Sequence, residues 1–436
     1  MEDNAKARLV NLFEDFSNSF KNRNLTDTKI DNKKIDKNLD NKNYKGVNKD
    51  VNVKIQPRSF VFRVTNRCNL RCKYCASNSS LEVKEKEKEF STSEWERIIE
   101  DCSRLGLRKV AISGGEPFCR NDLFEIISII RKNGIKIKVN TSGWFIDKEI
   151  AKRLKSDGVS TVQISVLSSK EELHDELKGK KGSHERALKA IQNCVDEGLN
   201  VLFSTIALRQ NIDDIPNMAK MCDSLGAYFY VKRYHPAGRA HLNRLLAPSK
   251  EEYRKTILFL KDYYGEELTN AFYKYVHAIR GSCLAGLSLC ILSDGKVTPC
   301  AELPIVIGDL KKETIEEVWT KSWETEPCVS IRKREGLNCI CSSCKILEIC
   351  GGGCRADAYG FTEDIKGEDP YCWLGECREG GNNFGNNLNQ IGKKDNKDNY
   401  KDDNYKDEDS ADLDIRLKEP PPILNMLGLY FGWRGD

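Results

Sequence analysis

The residues that could do chemistry here are mostly cysteines, and their spacing says which chemistry. Cys68, Cys72 and Cys75 lie on one polar stretch, N-R-C-N-L-R-C-K-Y-C, just after an alternating apolar run at Phe60, Phe62 and Val64. Gaps of three and two residues let three thiolates converge on one point of a tight loop. A structural zinc site takes paired C-x-x-C knuckles and a fourth ligand close by. Three cysteines without a fourth instead suit a cubane iron–sulfur cluster, which fixes three irons and leaves one open to a small molecule. About forty residues on, Gly114-Gly115-Glu116-Pro117 closes another β-branched run. Two glycines let a ligand approach the backbone closely, and the Glu116 carboxylate can accept hydrogen bonds from an ammonium group.

A second set of cysteines follows in the later part of the chain. It reads Cys283-x11-Gly295-x4-Cys300, then Cys341-x2-Cys344-x5-Cys350-x3-Cys354, then Cys372. Cys341-x2-Cys344 alone would suit a zinc knuckle. The chain holds 18 cysteines, and its start, Met1-Glu2-Asp3-Asn4, lacks the basic and then apolar pattern of an export signal. A cytoplasmic location is therefore expected, where such a density serves metal or cluster ligation rather than disulfides. The formal net charge of +4 over 436 residues gives no case for a nucleic-acid surface. No apolar run approaches the roughly 18–20 residues of a membrane span. Neither nucleic acid nor membrane is expected as a partner.

The elements that must position these groups recur in a regular order. Short β-branched runs fall at 60–65, 108–113, 135–140, 159–166, 199–207 and 227–233, with amphipathic stretches near 92–105, 121–133, 147–157, 183–197 and 214–225. Ser91 or Ser93 and Asn121 or Asp122 are N-cap candidates, and Gly106, Gly134, Gly158, Gly198 and Gly226 are C-terminal stops. Repeated strand–helix units predict right-handed crossovers and a parallel sheet. Six units are too few for an eight-stranded barrel, and the period alone fits both an open doubly wound sheet and a partial barrel. In either, ligands bind at the C-terminal strand ends, where the motifs above fall.

The flanks read differently. Residues 1–20 carry Leu9, Leu12, Phe13, Phe16 and Phe20 on one stripe of a short amphipathic helix. Residues 21–56 are Asn-, Lys- and Asp-rich and are expected to be a disordered linker. The strand–helix core spans 57–247, a helical linker 248–282 with its helix at 249–264, and the cysteine-rich module 283–377. Residues 378–418 repeat N-Y-K-D and read as disordered, and 419–436 form an apolar, aromatic tail.

The C-x3-C-x2-C loop with Tyr74 before its last cysteine, together with the G-G-E-P strand end, resembles the radical S-adenosylmethionine (SAM) enzymes. The downstream cysteines, with Gly295, resemble their SPASM module. The resemblance implies an α/β fold: a partial (β/α)6 radical SAM barrel followed by a small cysteine-rich SPASM domain, with disordered N- and C-terminal tails. It implies that Cys68, Cys72 and Cys75 hold a 4Fe–4S cluster whose open iron chelates the amino and carboxylate groups of SAM. One electron then splits the sulfonium to methionine and a 5′-deoxyadenosyl radical, which abstracts a substrate hydrogen. Tyr74, Gly114, Gly115, Glu116, Asn140, Ser142 and Ser165 fall where the family places SAM contacts. The stretches His174-Asp175-x2-Lys178-Gly179 and Pro236-Ala237-Gly238-Arg239 resemble family segments that position substrate or SAM. Carried over, Cys341, Cys344, Cys350 and Cys372 hold a second auxiliary 4Fe–4S cluster. Cys283, Cys300 and Cys354 hold the first, with Cys290 as candidate fourth ligand, one residue off the expected spacing.

Two auxiliary clusters can relay an electron from an oxidised substrate. The function this implies is oxidative modification of a peptide or protein, by crosslinking or side-chain oxidation, with the auxiliary clusters accepting the electron. Residues 352–359 and Asp369-Pro370-Tyr371-Cys372 also resemble enzymes of pyrroloquinoline quinone and haem biosynthesis, which makes a small tetrapyrrole substrate the alternative. Residues 1–56 are too short and polar for a leader-recognition domain, so a peptide substrate implies a separate leader-binding protein. A reductase, flavodoxin or ferredoxin is the implied electron donor. In sulfatase-maturating relatives an Asp base follows the cysteine matching Cys300; here Ala301 and Glu302 follow, leaving Glu302 as catalytic candidate. A non-catalytic iron–sulfur electron carrier would need a damaged cluster loop or G-G-E-P turn, and both are intact.

Overall fold

Strands that alternate polar and apolar side chains set the architecture. In the computed structural model the described residues are 56–372, apart from 58, 82–88, 265–282, 284–287, 335, 338, 343, 345, 346 and 348–350. The helix expected at 1–20, nearly all of the linker 21–56, all of 265–282, Cys350 and everything after Cys372 lie outside them. Strands β1 (Ser59–Arg63), β2 (Lys109–Ser113), β3 (Lys136–Thr141), β4 (Val159–Ser165), β5 (Asn200–Ile206) and β6 (Tyr228–Lys232) run parallel, each beside its predecessor. Their bounds fall within two residues of the runs read from the sequence. Because the strand order never reverses, right-handed crossovers carry every intervening helix to the same face. A doubly wound sheet needs a reversal, so this is the partial barrel.

The helices are α1 (Thr92–Arg104), α2 (Leu123–Lys132), α3 (Lys148–Ser156), α4 (Glu171–Lys178), α5 (Ser183–Asp196) and α6 (Ile215–Ser224). Phe60, Phe62, Val110, Ile112, Val139 and Val162, at alternate strand positions, are buried in one core with Trp95, Ile99, Ile126 and Ile130 from the helices. Of the two cap candidates, Ser91 caps α1 in a reciprocal box with Glu94. Asp122 precedes α2 without capping it; its carboxylate takes Arg120 instead. Helix α4 was not expected from periodicity, its eight residues being mostly charged.

The cysteine-rich module is not a separate bead. Its strand β7 (Ser288–Ile291) pairs in parallel with β1, from Ser59↔Ser288 to Phe62↔Ile291. Strands β8 (Lys296–Thr298) and β9 (Gly308–Asp309) add on in antiparallel, so one nine-stranded sheet among the described residues runs from barrel into module. Gly295 turns β7 into β8 at φ +91°, and a Cβ there would stand 2.3 Å from the Phe90 ring. The glycine of the C-x11-G-x4-C pattern thus serves both turn and packing. No helix among the described residues is long and apolar enough to cross a membrane.

A buried ionic network closes the joint on the other side. Arg233, just after β6 and 1 % exposed, donates to Asp369 at 2.8 Å and to Asp357 at 3.2 Å. Asp357 stands on the helix Arg355–Thr362 and also binds the His235 ring. Asp369 accepts from the Cys354 amide at 2.8 Å and from the Tyr371 amide. Breaking a buried pair by deleting one partner costs about 3–5 kcal/mol, because the other charge stays buried. Arg233→Met should therefore lower the unfolding free energy of the cluster-free protein, read from its urea midpoint, by an amount in that range, with Arg233→Lys recovering part of it. Equal midpoints for wild type and Arg233→Met would show that the network does not hold the joint.

Candidate active site

The second face of the sheet lies opposite α1 to α6 and lines the site. Val61 and Arg63, Ala111 and Ser113, Lys138 and Asn140, Gln163 and Ser165, and Tyr230 and Lys232 alternate with the core residues and line a cavity of about 380 Å³. Cys68, Cys72, Tyr74 and Cys75 reach it from the loop after β1, and Cys283, Cys300 and Cys354 from the module.

The three-cysteine loop is held by its backbone. Gly115 N donates to the Thr65 carbonyl at 2.8 Å, and Glu116 N to the Arg67 carbonyl at 2.9 Å. Arg71 N and Lys73 N donate to the Lys178 and Leu177 carbonyls at the end of α4. Arg239 bridges the Cys72 and Ser79 carbonyls, each at 2.8 Å, and Ala240 N donates to the Cys75 carbonyl. The two family-like segments at 174–179 and 236–239 therefore act first on the loop itself. The G-G-E-P glycines also have a different task from the one expected. A Cβ on Gly114 would stand 2.4 Å from the Thr65 oxygen, and one on Gly115 2.3 Å from the Arg67 oxygen. What approaches them closely is the start of the cysteine loop.

Glu116 is 1 % exposed. Its carboxylate accepts from the Thr141 hydroxyl at 2.7 Å, the Ser142 amide at 2.8 Å, the Ser142 hydroxyl at 2.5 Å and the Phe118 amide at 3.4 Å. Four protein donors thus already fill its lone-pair sites and fix the side chain in the cavity wall. Ser142 reaches the cavity as the holder of Glu116. Ser165 lines it too, and its carbonyl accepts from Lys178 Nζ at 3.1 Å. Asn140 lines it with an Oδ1 that is buried and has no hydrogen-bond partner, an acceptor waiting for a donor.

The donor set fits an iron–sulfur cluster. Cys68, Cys72 and Cys75 are free thiols that interact with one another electrostatically. Burial pushes Cys68 up to about 12. Burial also raises Cys72, with the Lys178 ammonium working against it. The Tyr74 hydroxyl bonds to Cys72 and is itself raised by burial. Crowded, desolvated thiols of this kind do not ionise unaided, and a coordinated metal deprotonates them outright.

On the module side Cys283, Cys300 and Cys354 pack around Leu303, Ile331 and Ala356. Burial, and then the neighbouring Cys283 and Cys354, raise the Cys300 thiol. Cys290 has the cavity parity of its strand, alongside Ser288 and Val61, which line the cavity. It sits opposite Val61 inside β7, fully buried, with its thiol bonded to Thr298. A ligand candidate chosen by spacing is therefore a strand residue whose charged neighbours are Arg63 and Glu302. His235 stands beside Cys354; burial works against its imidazolium, but Asp357, Glu302 and the bond to Cys354 together outweigh burial and hold it up to about 10. Glu302 lines the cavity with Lys232 Nζ at 3.6 Å. Among the other module cysteines, Cys344 N donates to the Cys341 carbonyl and Cys372 N to that of Asp369.

Arg63, Lys138, Gln163, Tyr230, Lys232 and His235 were missed by sequence reasoning. A signal existed: K-I-K-V-N puts lysine at every second place of a strand whose alternate residues are core. The family model of the radical SAM superfamily matches residues 62–222, and that of SPASM, an iron–sulfur cluster-binding domain, matches 283–345. An AdoMet-dependent heme synthase of Methanosarcina barkeri is 29 % identical over 344 residues, 72 % of this chain and 96 % of the relative. Mycofactocin maturase MftC of Mycolicibacterium smegmatis is 29 % identical over 334 residues, covering 72 % and 82 %. The crystal structure of Streptococcus suis SuiB bound to S-adenosylmethionine aligns with TM-score 0.58 and 20 % identity, covering 73 % of this chain and 78 % of that one.

Since the loop lies against the glycine turn, Gly115→Ala should displace it. After anaerobic reconstitution that variant should lack about one cluster's worth of iron, roughly four atoms per chain. Lys152→Ala, exposed on α3, should keep them. Full iron in Gly115→Ala would show that loop and turn can move apart.

Proposed function

The chain is a radical SAM enzyme with a C-terminal SPASM domain, and on that footing we propose that it abstracts hydrogen from a carboxylate-bearing tetrapyrrole in an oxidative reaction. One observation carries the reading: thiols of the three-cysteine loop and thiols of the module open into the same cavity. A substrate there lies between the place where a radical is made and the place where an electron can leave. The haem-type alternative thereby becomes the first reading and peptide modification the second. A heme synthase aligned over 96 % of its own length supports the first, as do Arg63, Lys138 and Lys232 along the cavity wall. The maturase relative of equal identity supports the second, which alone needs a leader-binding protein.

Cys68, Cys72 and Cys75 hold the SAM-binding 4Fe–4S cluster in this reading. Cys283, Cys300 and Cys354 hold one auxiliary 4Fe–4S cluster, and Cys341, Cys344, Cys350 and Cys372 a second. When bound, the first cluster and SAM supply a 5′-deoxyadenosyl radical able to take hydrogen from an unactivated C–H bond. The protein's own contributions are placement and exclusion of water. Tyr74, Gly114, Gly115, Asn140 and Ser165 shape the SAM side, and Ser142 and Thr141 keep Glu116 in place. Glu302, paired with Lys232, is the acid–base candidate on the module side. A reductase, flavodoxin or ferredoxin supplies the starting electron.

The test is the full chain, reconstituted without oxygen and given dithionite, SAM and iron coproporphyrin III, a porphyrin with four propionates. We expect 5′-deoxyadenosine above the porphyrin-free level, with a matching change in porphyrin mass. Cys68→Ala/Cys72→Ala/Cys75→Ala should abolish SAM cleavage and keep the module's iron. If the porphyrin neither changes in mass nor raises 5′-deoxyadenosine, the tetrapyrrole reading is wrong.

A further inference from the structure

Lys138 is a charged side chain in the middle of a strand, flanked by Ile137 and Val139 of the core. It is 4 % exposed, lines the cavity, and makes no side-chain hydrogen bond or ion pair among the described residues. A buried ammonium without a partner is expensive. Its neighbours sharpen the cost. Burial, and then the Lys232 ammonium, lower Lys138 to about 7. Lys232 reaches the same cavity from β6 and has Glu302 at 3.6 Å. Facing polar groups are Gln163 on β4, whose amide donates to Ser204, and Tyr230 on β6. Glu302 is engaged by Lys232, so the lysine pair is left one negative charge short.

Depth separates this place from the SAM side. Lys138 lies two residues before Asn140 on the same face of β3, about 6–7 Å down the strand. It pairs across the sheet with Ala111 rather than with the strand ends. The cysteine loop stands at those ends.

We infer that Lys138, with Lys232 beside it, docks a carboxylate of the substrate deep in the cavity. The inference rests on the reading of a carboxylate-bearing substrate given above and adds the residue that recognises it. A carboxylate at this point restores full charge to Lys138 and makes charge-assisted hydrogen bonds away from water, where they are strong. It also orients the substrate, since one fixed end decides which C–H bond faces the SAM side.

The test compares wild type, Lys138→Met and Lys138→Arg as full chains with clusters reconstituted and SAM bound. Metal-free coproporphyrin III, titrated by its fluorescence, probes the carboxylate, and its tetraamide probes the ring alone. Lys138→Met should weaken binding of the free acid about tenfold or more, Lys138→Arg should recover most of it, and neither should alter tetraamide binding. With iron coproporphyrin III as substrate, KM should rise more than kcat falls. Iron per chain, measured alongside, reports folding, and SAM affinity reports whether the SAM side is disturbed. If wild type binds the acid and Lys138→Met binds it within twofold, the inference fails while the tetrapyrrole reading stands. If SAM affinity falls in step with Lys138→Met, the docked carboxylate is that of SAM, and the inference fails. If wild type binds no porphyrin, both readings fall.

Discussion

The contact between the G-G-E-P turn and the start of the three-cysteine loop is the constraint the site depends on. Two backbone amides of the turn reach carbonyls at Thr65 and Arg67, and the absent side chains of Gly114 and Gly115 leave only enough room for those carbonyls. The loop that would hold a cluster and the carboxylate in the cavity wall are thus one rigid piece. On the far side of the loop, the carbonyls at the end of α4 accept from its Arg71 and Lys73 amides, and the Arg239 guanidinium holds its Cys72 and Ser79 carbonyls. Three thiols crowded on one short loop need such support, because a loop free to open would relieve their crowding by moving apart.

The sheet has two different faces for one topological reason. A strand order that never turns back sends each right-handed crossover to the same side, so one face is sealed by α1 to α6 and the other is left for ligands. Apolar residues at one parity of each strand serve the seal. Polar residues at the other parity, Arg63, Asn140, Gln163, Ser165 and Lys232 among them, can stay unsealed because the curved sheet gathers them around one cavity.

Much of this was legible in the sequence, and what was not has physical causes. Cysteine spacing is local and survives the unfolding of the chain into text, so Cys68, Cys72 and Cys75 could be grouped without a structure. The six strands were found because β-branched runs and glycine stops are local too. Which polar strand residues face the cavity depends on closure of the sheet, a long-range fact. Lys138 in K-I-K-V-N looked like ordinary alternation until that closure placed it. Cys290 is the opposite case: spacing suited it to a ligand pattern but could not say which way it faces, and pairing with Val61, a cavity-lining residue, puts it on the cavity parity of β7. Helix α4 escaped because eight mostly charged residues give no apolar stripe; it forms where its carbonyls can receive the loop.

Barrel and module form one working unit because they are joined twice. On one side β7 extends the sheet from β1. On the other, Arg233 leaves the end of β6 and neutralises Asp357 and Asp369 of the module. These carboxylates are not idle counter-ions. Asp369 holds the Cys354 amide, and Asp357 keeps His235 protonated beside the Cys354 thiol. Separating the module would expose the edge of β1 and strip Asp357 and Asp369 of their shared cation. The distance across the cavity from the three-cysteine loop to Cys283, Cys300 and Cys354 is therefore set by the sheet and a buried ion network together. A substrate fixed by one end in that cavity would have its reacting bond placed by the same two constraints.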